Sequence, residues 1–233
     1  MPKYDILLFD ADETLLDFGR AEHEAITETL SHFGLSADDE TVSVYSRINS
    51  GLWRQLERKE IDKTTLRTRR FEDFCREIRT DSDFRAMARF YENTLSNQAF
   101  LIDGADDMCR KLSEKCDIYI ITNGIKDIQT GRMSKSGLLP YVKASFISED
   151  VGFEKPDIRY FNAVESAIPE FDRKRAIVIG DSLTSDMKGG INAGIDTCWY
   201  NPRGLVTELP VTYNVSSFEE IMQIILCEEC ANA

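Results

Sequence analysis

The amino-acid sequence predicts an α/β fold, with a parallel sheet as its core and a bundle of helices inserted into it. Short apolar runs recur along the chain, and such runs are typical of strands that are buried on both faces. Helical patterns separate the runs in the second half, and this alternation favours a parallel sheet covered by helices. Between the first run and the second, residues 17–100 have helical spacing and no strand signal.

Four apolar runs predict strands, and a fifth predicts one more weakly. The first run, Asp-Ile-Leu-Leu-Phe, ends at Asp10, and the second ends at Thr122. The third is followed directly by Gly180 and Asp181. The predicted strands are residues 5–9, 117–121, 176–179 and 196–200, with the weaker one at residues 144–148.

The inserted segment divides into four predicted helices. Apolar residues at helical spacing predict the first over residues 20–33, with Gly34 in the position of a C-cap. Ser36 and Asp39 resemble the capping box that opens a second helix. Two further helices follow with the same apolar spacing, and four such helices can form a small bundle. The predicted core comprises residues 1–16 and 101–233, and the helical-bundle domain comprises residues 17–100.

Composition limits the partners of this chain of 233 residues, which is 42% hydrophobic and 30% charged. A net charge of −13 repels polyanions, so we expect no nucleic-acid polymer as a partner. A small anionic substrate stays compatible, because a metal ion and one lysine can invert the field inside a pocket. No apolar run approaches the roughly 20 residues that span a bilayer, and the first residues do not resemble a signal peptide. We therefore expect a cytoplasmic protein without a membrane partner, as a monomer or a homodimer.

The cysteines and histidines give no sign of a metal centre. The six cysteines are scattered, and reduced, buried thiols are expected. Cys227 and Cys230 form a lone CxxC pair without the second pair that a zinc site needs. His23 and His32 share one amphipathic segment with no other candidate ligand nearby, so we expect them at the surface or at a helix cap.

Polar residues follow the ends of the predicted strands, which is where ligands bind in open α/β sheets. They are Asp10 and Asp12 after the first strand, Thr122 and Asn123 (with Gly124) after the second, and Asp181 and Asp186 after the third. Lys155 lies ahead of a later helix. Each motif alone also fits an ordinary turn. Their combination is what favours a functional site.

The residue types at these positions suit phosphoryl transfer. Asp10 and Asp181 are expected at adjacent strand ends, and two repelling carboxylates favour a hard cation such as Mg²⁺. Asp10 can then attack phosphorus as a nucleophile. Asp12, two residues along an extended chain, lies on the same side and can serve as general acid and base. Thr122 and the backbone amides of Asn123 and Gly124 can hold phosphate oxygens, and Lys155 can offset the charge of the transition state.

These motifs, in this order, resemble those of the haloacid dehalogenase superfamily of phosphohydrolases. The resemblance covers nearly the whole chain and implies a Rossmann-like core with a mobile helical cap inserted after the first strand. It implies that Asp10 is the nucleophile and Asp12 the acid and base, with the backbone carbonyl of Asp12 as a metal ligand. The remaining implied roles are phosphate binding by Thr122 and Lys155 and magnesium binding by Asp10, Asp181 and Asp186.

The inserted segment is similar to the cap of one branch, the pyrimidine 5'-nucleotidases. The similarity extends from Ile48 to Phe71 and implies a nucleotide substrate. Trp53 and Phe71 fall near apolar helical stripes, a position that favours the core of the cap over contact with a substrate. Asn49 and Arg67 are therefore the candidate substrate-binding residues of the cap, since their polar ends gain less from a bundle interior.

The sequence thus predicts a magnesium-dependent phosphatase of small phosphomonoesters that works through an aspartyl phosphate, with pyrimidine nucleoside 5'-monophosphates as substrates. Asp12 argues against carbon–halogen cleavage, because the dehalogenases of the superfamily lack this residue. Three alternatives stay open: another metabolite such as phosphoglycolate, a sugar phosphate or pyrophosphate; a phosphomutase of the β-phosphoglucomutase type; and a regulatory phosphoacceptor. The helical insert and Asp12 argue against the last, which needs no acid for a leaving group.

Overall fold

The computed structural model describes residues 2–226 and contains a six-stranded parallel sheet. Side by side, the strands lie in the order β3-β2-β1-β4-β5-β6. Their bounds are Ile6–Phe9 (β1), Asp117–Thr122 (β2), Val142–Ile147 (β3), Ala176–Gly180 (β4), Asp196–Tyr200 (β5) and Tyr213–Val215 (β6). The predicted α/β fold with a parallel sheet is confirmed.

The register of the inner strands brings the predicted site together. β1 lies between β2 and β4, and Ile6 pairs with Asp117 on one side and with Ala176 on the other. All of β1 is buried, which accounts for its unbroken apolar run. Because the three strands are parallel, the residues that follow them meet at one edge of the sheet.

The outer strands differ from the predicted ones. β3 begins and ends earlier than residues 144–148, and Ser148 is the first residue of a short helix. β6 escapes prediction because it has three residues at the sheet edge, and its exposed Asn214 interrupts the apolar pattern. The edge position leaves β6 with one neighbour, so little apolar sequence is needed to form it.

Four helices occupy the inserted segment. They are Phe18–His32 (α1), Asp39–Glu57 (α2), Lys63–Ile78 (α3) and Phe84–Leu95 (α4). Gly34 has a φ of 69° just after α1, in agreement with the predicted C-cap. The predicted capping box is wrong: Asp38 caps α2 by accepting from the Thr41 N–H at 2.8 Å, and Ser36 donates to Asp38. Asp38 stands directly before the helix, so its short carboxylate reaches the free N–H groups that Ser36 cannot.

The inserted helices have a hydrophobic core of their own. Tyr45 lies at the middle of its aromatic cluster, with ring centroids 5.0 Å from Phe71 and 5.1 Å from Tyr91. This core continues into the sheet domain through Ile125 and Ile128, which flank the first turn of the helix that follows β2. The bundle therefore rests against the end of the sheet where the predicted site lies.

Six further helices cover the sheet: Ala105–Ser113 (α5), Lys126–Lys135 (α6), Ser148–Val151 (α7), Ile158–Ala167 (α8), Lys188–Ala193 (α9) and Phe218–Leu226 (α10). A 3₁₀ turn at Leu139–Tyr141 precedes β3, and a π-helical turn at Leu183–Met187 leads into α9. Within residues 2–226, no helix has the length and apolar character needed to cross a membrane.

Two segments, residues 12–17 and 96–102, connect the sheet to the inserted helices, and we call this pair the neck. Leu16 and Leu101 form an antiparallel bridge within it. The Asp17 N–H donates to the Phe100 carbonyl at 3.0 Å. The chain therefore enters and leaves the inserted segment at one place.

The cysteines and histidines match expectation where the structure describes them. Cys75, Cys109, Cys116 and Cys198 are buried and free. Burial raises the pKa of the Cys109 thiol to about 12, which keeps it protonated and unreactive at neutral pH. His23 and His32 are exposed. Cys227 and Cys230 lie outside the described residues.

Candidate active site

The predicted site residues meet at the carboxyl edge of the sheet. Asp10 follows β1, Thr122 is the last residue of β2, and Asp181 follows β4. β1 has β2 and β4 as its neighbours, so Asp10 stands between the other two. Asp10 and Thr122 are both buried.

Lys155 is the cation of this cluster, and it is fully surrounded by protein. Its Nζ atom lies 2.6 Å from Oδ1 of Asp10 and 2.6 Å from Oδ1 of Asp186, and it donates to the Ile121 carbonyl at 2.8 Å. Burial acts to lower the pKa of Lys155, but the carboxylates of Asp10 and Asp186 outweigh it and raise that pKa. The side chain therefore stays charged, and it neutralises part of the acidic cluster.

Asn123 fixes the loop that carries Lys155. Its side-chain amide donates to the Lys155 carbonyl at 2.8 Å and accepts from the Lys155 N–H at 2.9 Å. Both polar ends of the Asn123 side chain are thus committed to the Lys155 backbone, although Asn123 also lines the cavity described below. Its contribution is to tie the end of β2 to the loop before α8.

Three carboxylates converge where a metal ion is expected. Asp10, Asp181 and Asp186 each offer one oxygen, and these oxygens lie within 4.8 Å of one another. Burial, and then the Asp186 carboxylate, raise the pKa of Asp10 well above its usual range. Burial, then Asp186 and Glu13, raise the pKa of Asp181 to about 7. Clustered oxygens that resist ionisation are what a hard divalent cation stabilises, so this donor set fits Mg²⁺.

The backbone around Asp181 and Asp186 is held by specific hydrogen bonds. The Asp181 N–H donates to the buried hydroxyl of Thr14 at 3.1 Å, and the Trp199 indole donates to the Asp181 carbonyl at 2.8 Å. Gly180 lets Asp186 approach, because a Cβ at that position would lie 2.4 Å from Oδ2 of Asp186. The close approach of Asp186 accounts for the glycine at position 180.

Asp12 is near the cluster but points its carboxylate elsewhere. Its two oxygens accept from Gln129 and Arg132 of α6. The carboxylate cluster that could hold a metal ion consists of the other three aspartates, so a metal role for Asp12 would rest on its backbone carbonyl. The Asp12 side chain is partly exposed and lines the same cavity as Asp10, which suits a group that exchanges protons with a substrate.

Gln129 and Arg132 are functional candidates that the sequence-based predictions missed. Both are buried on α6 and stand three residues apart, so they project from one face of the helix. The signal that was available is the presence of two long polar side chains at this spacing, shortly after Thr122-Asn123-Gly124. Polar residues on a helix face are normally solvated, which is why the pattern draws no notice by itself.

A cavity of about 460 Å³ opens above Asp10. One wall is apolar and includes Phe18, Trp53 and Leu56 of the inserted helices. The polar lining consists of Asp10, Asp12, Glu13, Glu57, Lys59, Thr122, Asn123, Glu154, Lys155, Asp157, Asp181, Ser182 and Ser185. A space of this size accommodates a small organic phosphate with its ester group facing the aspartates.

The candidate residues of the cap are placed differently from what the sequence suggests. Asn49 and Arg67 do not line this cavity. Asn49 is buried and donates to Glu22 at 2.6 Å, and Arg67 pairs with Glu92. Trp53, assigned to the cap core from its spacing, packs on that core and also lines the cavity. Trp53 reaches the cavity because it lies on the face of α2 that turns toward the sheet domain.

Comparison with known proteins supplies the family. The model of haloacid dehalogenase-like hydrolases matches residues 4–194. The chain belongs to this haloacid dehalogenase-like family. It is 40% identical to the pyrimidine 5'-nucleotidase PynA of Streptococcus pneumoniae over 94% of each chain. It is 30% identical to the pyrimidine 5'-nucleotidase YjjG of Escherichia coli, over 97% of this chain and 99% of YjjG.

A solved structure of the family has the same architecture. The magnesium-bound crystal structure of the putative hydrolase YfnB of Bacillus subtilis, described as revealing interdomain movement, aligns with a TM-score of 0.90. The two chains are 39% identical, and the alignment covers 95% of this chain and 98% of YfnB. As a member of the haloacid dehalogenase-like family with nucleotidase relatives, the protein is an enzyme, a phosphoric monoester hydrolase. The alternative of a regulatory phosphoacceptor is thereby set aside.

Proposed function

We propose that this enzyme hydrolyses pyrimidine nucleoside 5'-monophosphates through an aspartyl phosphate on Asp10. The observation that carries the proposal is the cavity above Asp10, whose lining includes the aspartates and Lys155 together with the aromatic side chains of Phe18 and Trp53. The nucleotidase relatives PynA and YjjG support the same substrate class.

The first chemical step is attack on phosphorus by a carboxylate oxygen of Asp10. The new O–P bond forms as the bond from phosphorus to the nucleoside O5' breaks, and Asp12 gives its proton to that oxygen. Lys155, 2.6 Å from Asp10, and the hydroxyl of Thr122 are placed to stabilise the phosphoryl oxygens. Mg²⁺ held by Asp10, Asp181 and Asp186 would supply positive charge to the same oxygens.

The second step releases phosphate. Asp12 takes a proton from a water molecule as that water attacks phosphorus, the bond between phosphorus and Asp10 breaks, and the free carboxylate is restored. A carboxylate that lines the cavity and is partly exposed has access to this water. In this proposal Thr122 and Lys155 act in both steps, because the phosphoryl oxygens stay beside them.

The aromatic wall is the proposed source of selectivity. Trp53 and Phe18 can stack on a base, and such stacking is worth about 1–3 kcal/mol per base. A sugar phosphate gains no such contact, so nucleotides are favoured over it. Asn49 donates to Glu22 and Arg67 donates to Glu92, so neither is proposed to contact the substrate.

We also propose that residues 17–100 act as a cap over this cavity. The bridge between Leu16 and Leu101 in the neck supports boundaries after residues 16 and 100. The cap contributes the apolar wall, and the sheet domain contributes the aspartates. Substrate choice and phosphoryl transfer are thereby assigned to different parts of the chain.

The test compares kcat/KM for UMP, dUMP and dTMP with that for AMP and glucose 6-phosphate. We expect the pyrimidine nucleotides to lead, and we expect Trp53→Ala to reduce their lead over glucose 6-phosphate by about 10-fold, as a lost stacking contact predicts. Hydrolysis of p-nitrophenyl phosphate by Trp53→Ala serves as the internal control and should change little. Equal kcat/KM for all five substrates would refute the substrate assignment and leave the phosphatase activity in place.

A further inference from the structure

Arg132 of α6 makes a set of contacts that tie three parts of the molecule together. One terminal nitrogen donates to Asp12, and Nε donates to the Gln98 carbonyl in the neck at 2.9 Å. The guanidinium carbon lies 5.6 Å from the ring centroid of Phe18, at the start of α1. The Arg132 side chain is fully buried, so its orientation depends on these partners.

Burial of the Arg132 guanidinium has a cost in solvation free energy. A guanidinium taken out of water loses several kcal/mol of solvation, which an ion pair repays only with good geometry. The second terminal nitrogen of Arg132 has no hydrogen-bond partner among residues 2–226. An apolar side chain would fill the same space without that loss, so packing alone does not explain an arginine here.

Gln129 holds the other oxygen of Asp12, and the backbone nearby leaves room for it. A Cβ on Gly124 would lie 2.2 Å from Nε2 of Gln129. A second close approach joins α6 to the neck, since a Cβ on Gly131 would lie 2.6 Å from the Ser96 carbonyl oxygen. The α6 backbone therefore passes directly against the neck, and small residues permit both close approaches.

We propose that Arg132, assisted by Gln129, is a positioning residue that couples the neck to Asp12. Asp12 lies in one segment of the neck and Gln98 in the other, and the Arg132 guanidinium bridges them. A shift of the neck moves the Gln98 carbonyl and, through Arg132, redirects the Asp12 carboxylate. The proton-transfer step is thus made dependent on the position of the inserted helices. This inference rests on the proposed role of Asp12 as general acid and base.

The decisive experiment compares leaving groups in Arg132→Met. If Arg132 positions Asp12, kcat/KM should fall about 10–100-fold for UMP, a fraction of the 10²–10⁴-fold that a general acid contributes. With p-nitrophenyl phosphate, whose leaving group needs no proton, kcat/KM should fall by less than about 3-fold. The ratio kcat/KM reports the steps up to the aspartyl phosphate, so the later role of Asp12 as a base does not enter the comparison. Arg173→Met is the matched control, because Arg173 also joins a carboxylate, Glu165, to a backbone carbonyl, that of Ala193.

A double-mutant cycle with Asp12→Asn separates positioning from a general loss of structure. In the Asp12→Asn background, Arg132→Met should change kcat/KM by less than about 2-fold, because the group it positions is already disabled. Losses that multiply in the double variant, or an equal loss for UMP and p-nitrophenyl phosphate, would overturn the inference. Arg132→Lys and Gln129→Met give the same test if Arg132→Met does not fold.

The single variant Asp12→Asn tests the general acid and base role of Asp12 separately from the positioning role of Arg132. One outcome is that Asp12→Asn shows a loss that depends on the leaving group while Arg132→Met, Arg132→Lys and Gln129→Met show no such dependence. That result would refute the role of Arg132 and keep that of Asp12. An equal loss of kcat/KM for both substrates in Asp12→Asn would refute the general-acid role of Asp12 and, with it, the positioning role of Arg132.

Discussion

The Nζ atom of Lys155 lies 2.6 Å from Oδ1 of Asp10. The ammonium is shared with Asp186, and Asp181 is the third carboxylate of the cluster. One buried cation therefore faces three carboxylates, which leaves excess negative charge at the place where a phosphate is expected to bind. A divalent cation is the simplest means of making the site attractive to a phosphate.

Asp10→Asn should abolish turnover, because an amide is not a nucleophile and binds a metal ion poorly. We expect kcat to fall by at least about 10³-fold, the order seen when a nucleophile is removed. The measurement is phosphate release from UMP, with circular dichroism to verify folding. Activity above a tenth of that of the unchanged enzyme would contradict the assignment of Asp10.

Lys155→Met should lower kcat/KM by about 10²–10³-fold, since it removes a charge that is aimed at the transition state. Thermal unfolding should also shift, because the variant leaves Asp10 and Asp186 buried together without their cation. Lys143→Met is a suitable control, since Lys143 is an exposed lysine paired with Asp117. Equal activity of the two variants would exclude a role for Lys155 in the reaction.

Removal of divalent cations should abolish phosphatase activity, and addition of Mg²⁺ should restore that activity. Ca²⁺ should restore it poorly, because it prefers more ligands at longer distances. Activity is measured after dialysis against EDTA and again after each cation is added. Full activity in the chelated protein would remove the metal role from Asp181 and Asp186.

The metal-free protein should lose stability as the pH rises from about 4 to about 7. Asp181 has a pKa raised to about 7 in the folded protein, against a usual value of about 3.9 in an unfolded chain. The folded state therefore binds more protons in this window, so its stabilisation is complete below pH ~4 and is lost as the pH passes ~7. Urea midpoints measured in EDTA at several pH values report this loss.

Two comparisons identify Asp181 as the source of that loss. Asp181→Asn should flatten the dependence of the urea midpoint on pH, whereas Asp103→Asn, which changes an exposed carboxylate, should not. Mg²⁺ at pH 7.5 should raise the midpoint, because it binds the ionised carboxylates of the folded state. An unchanged pH dependence in Asp181→Asn would show that other groups dominate.

The core of the site could be predicted from the sequence because strand geometry alone determines it. Parallel strands place the residues that follow them at one edge, so Asp10, Thr122 and Asp181 converge without knowledge of any contact. Apolar runs locate such strands reliably when both faces are buried. β6 lacks this signal because it lies at the edge and exposes Asn214.

The contacts of the inserted helices could not be predicted, because helical spacing gives a face but not its partner. Asn49 has a polar end and looks suited to a substrate, yet the facing helix supplies Glu22 and buries it. Trp53 looks apolar and suited to a core, yet its part of α2 borders the cavity. The contacts of Arg132 could not be predicted either, because its partners Gln98 and Asp12 are distant in sequence.

The bridge between Leu16 and Leu101 has a consequence for how this fold can change over generations. Residues opposite each other in an antiparallel pair have Cα atoms about 4.5–5.5 Å apart, a gap that a tight turn of a few residues closes. The entire stretch between them can thus be exchanged, enlarged or shortened while the ends of the surrounding strands stay in place. Selection can therefore replace the inserted helices without rebuilding the sheet and the aspartates at its edge.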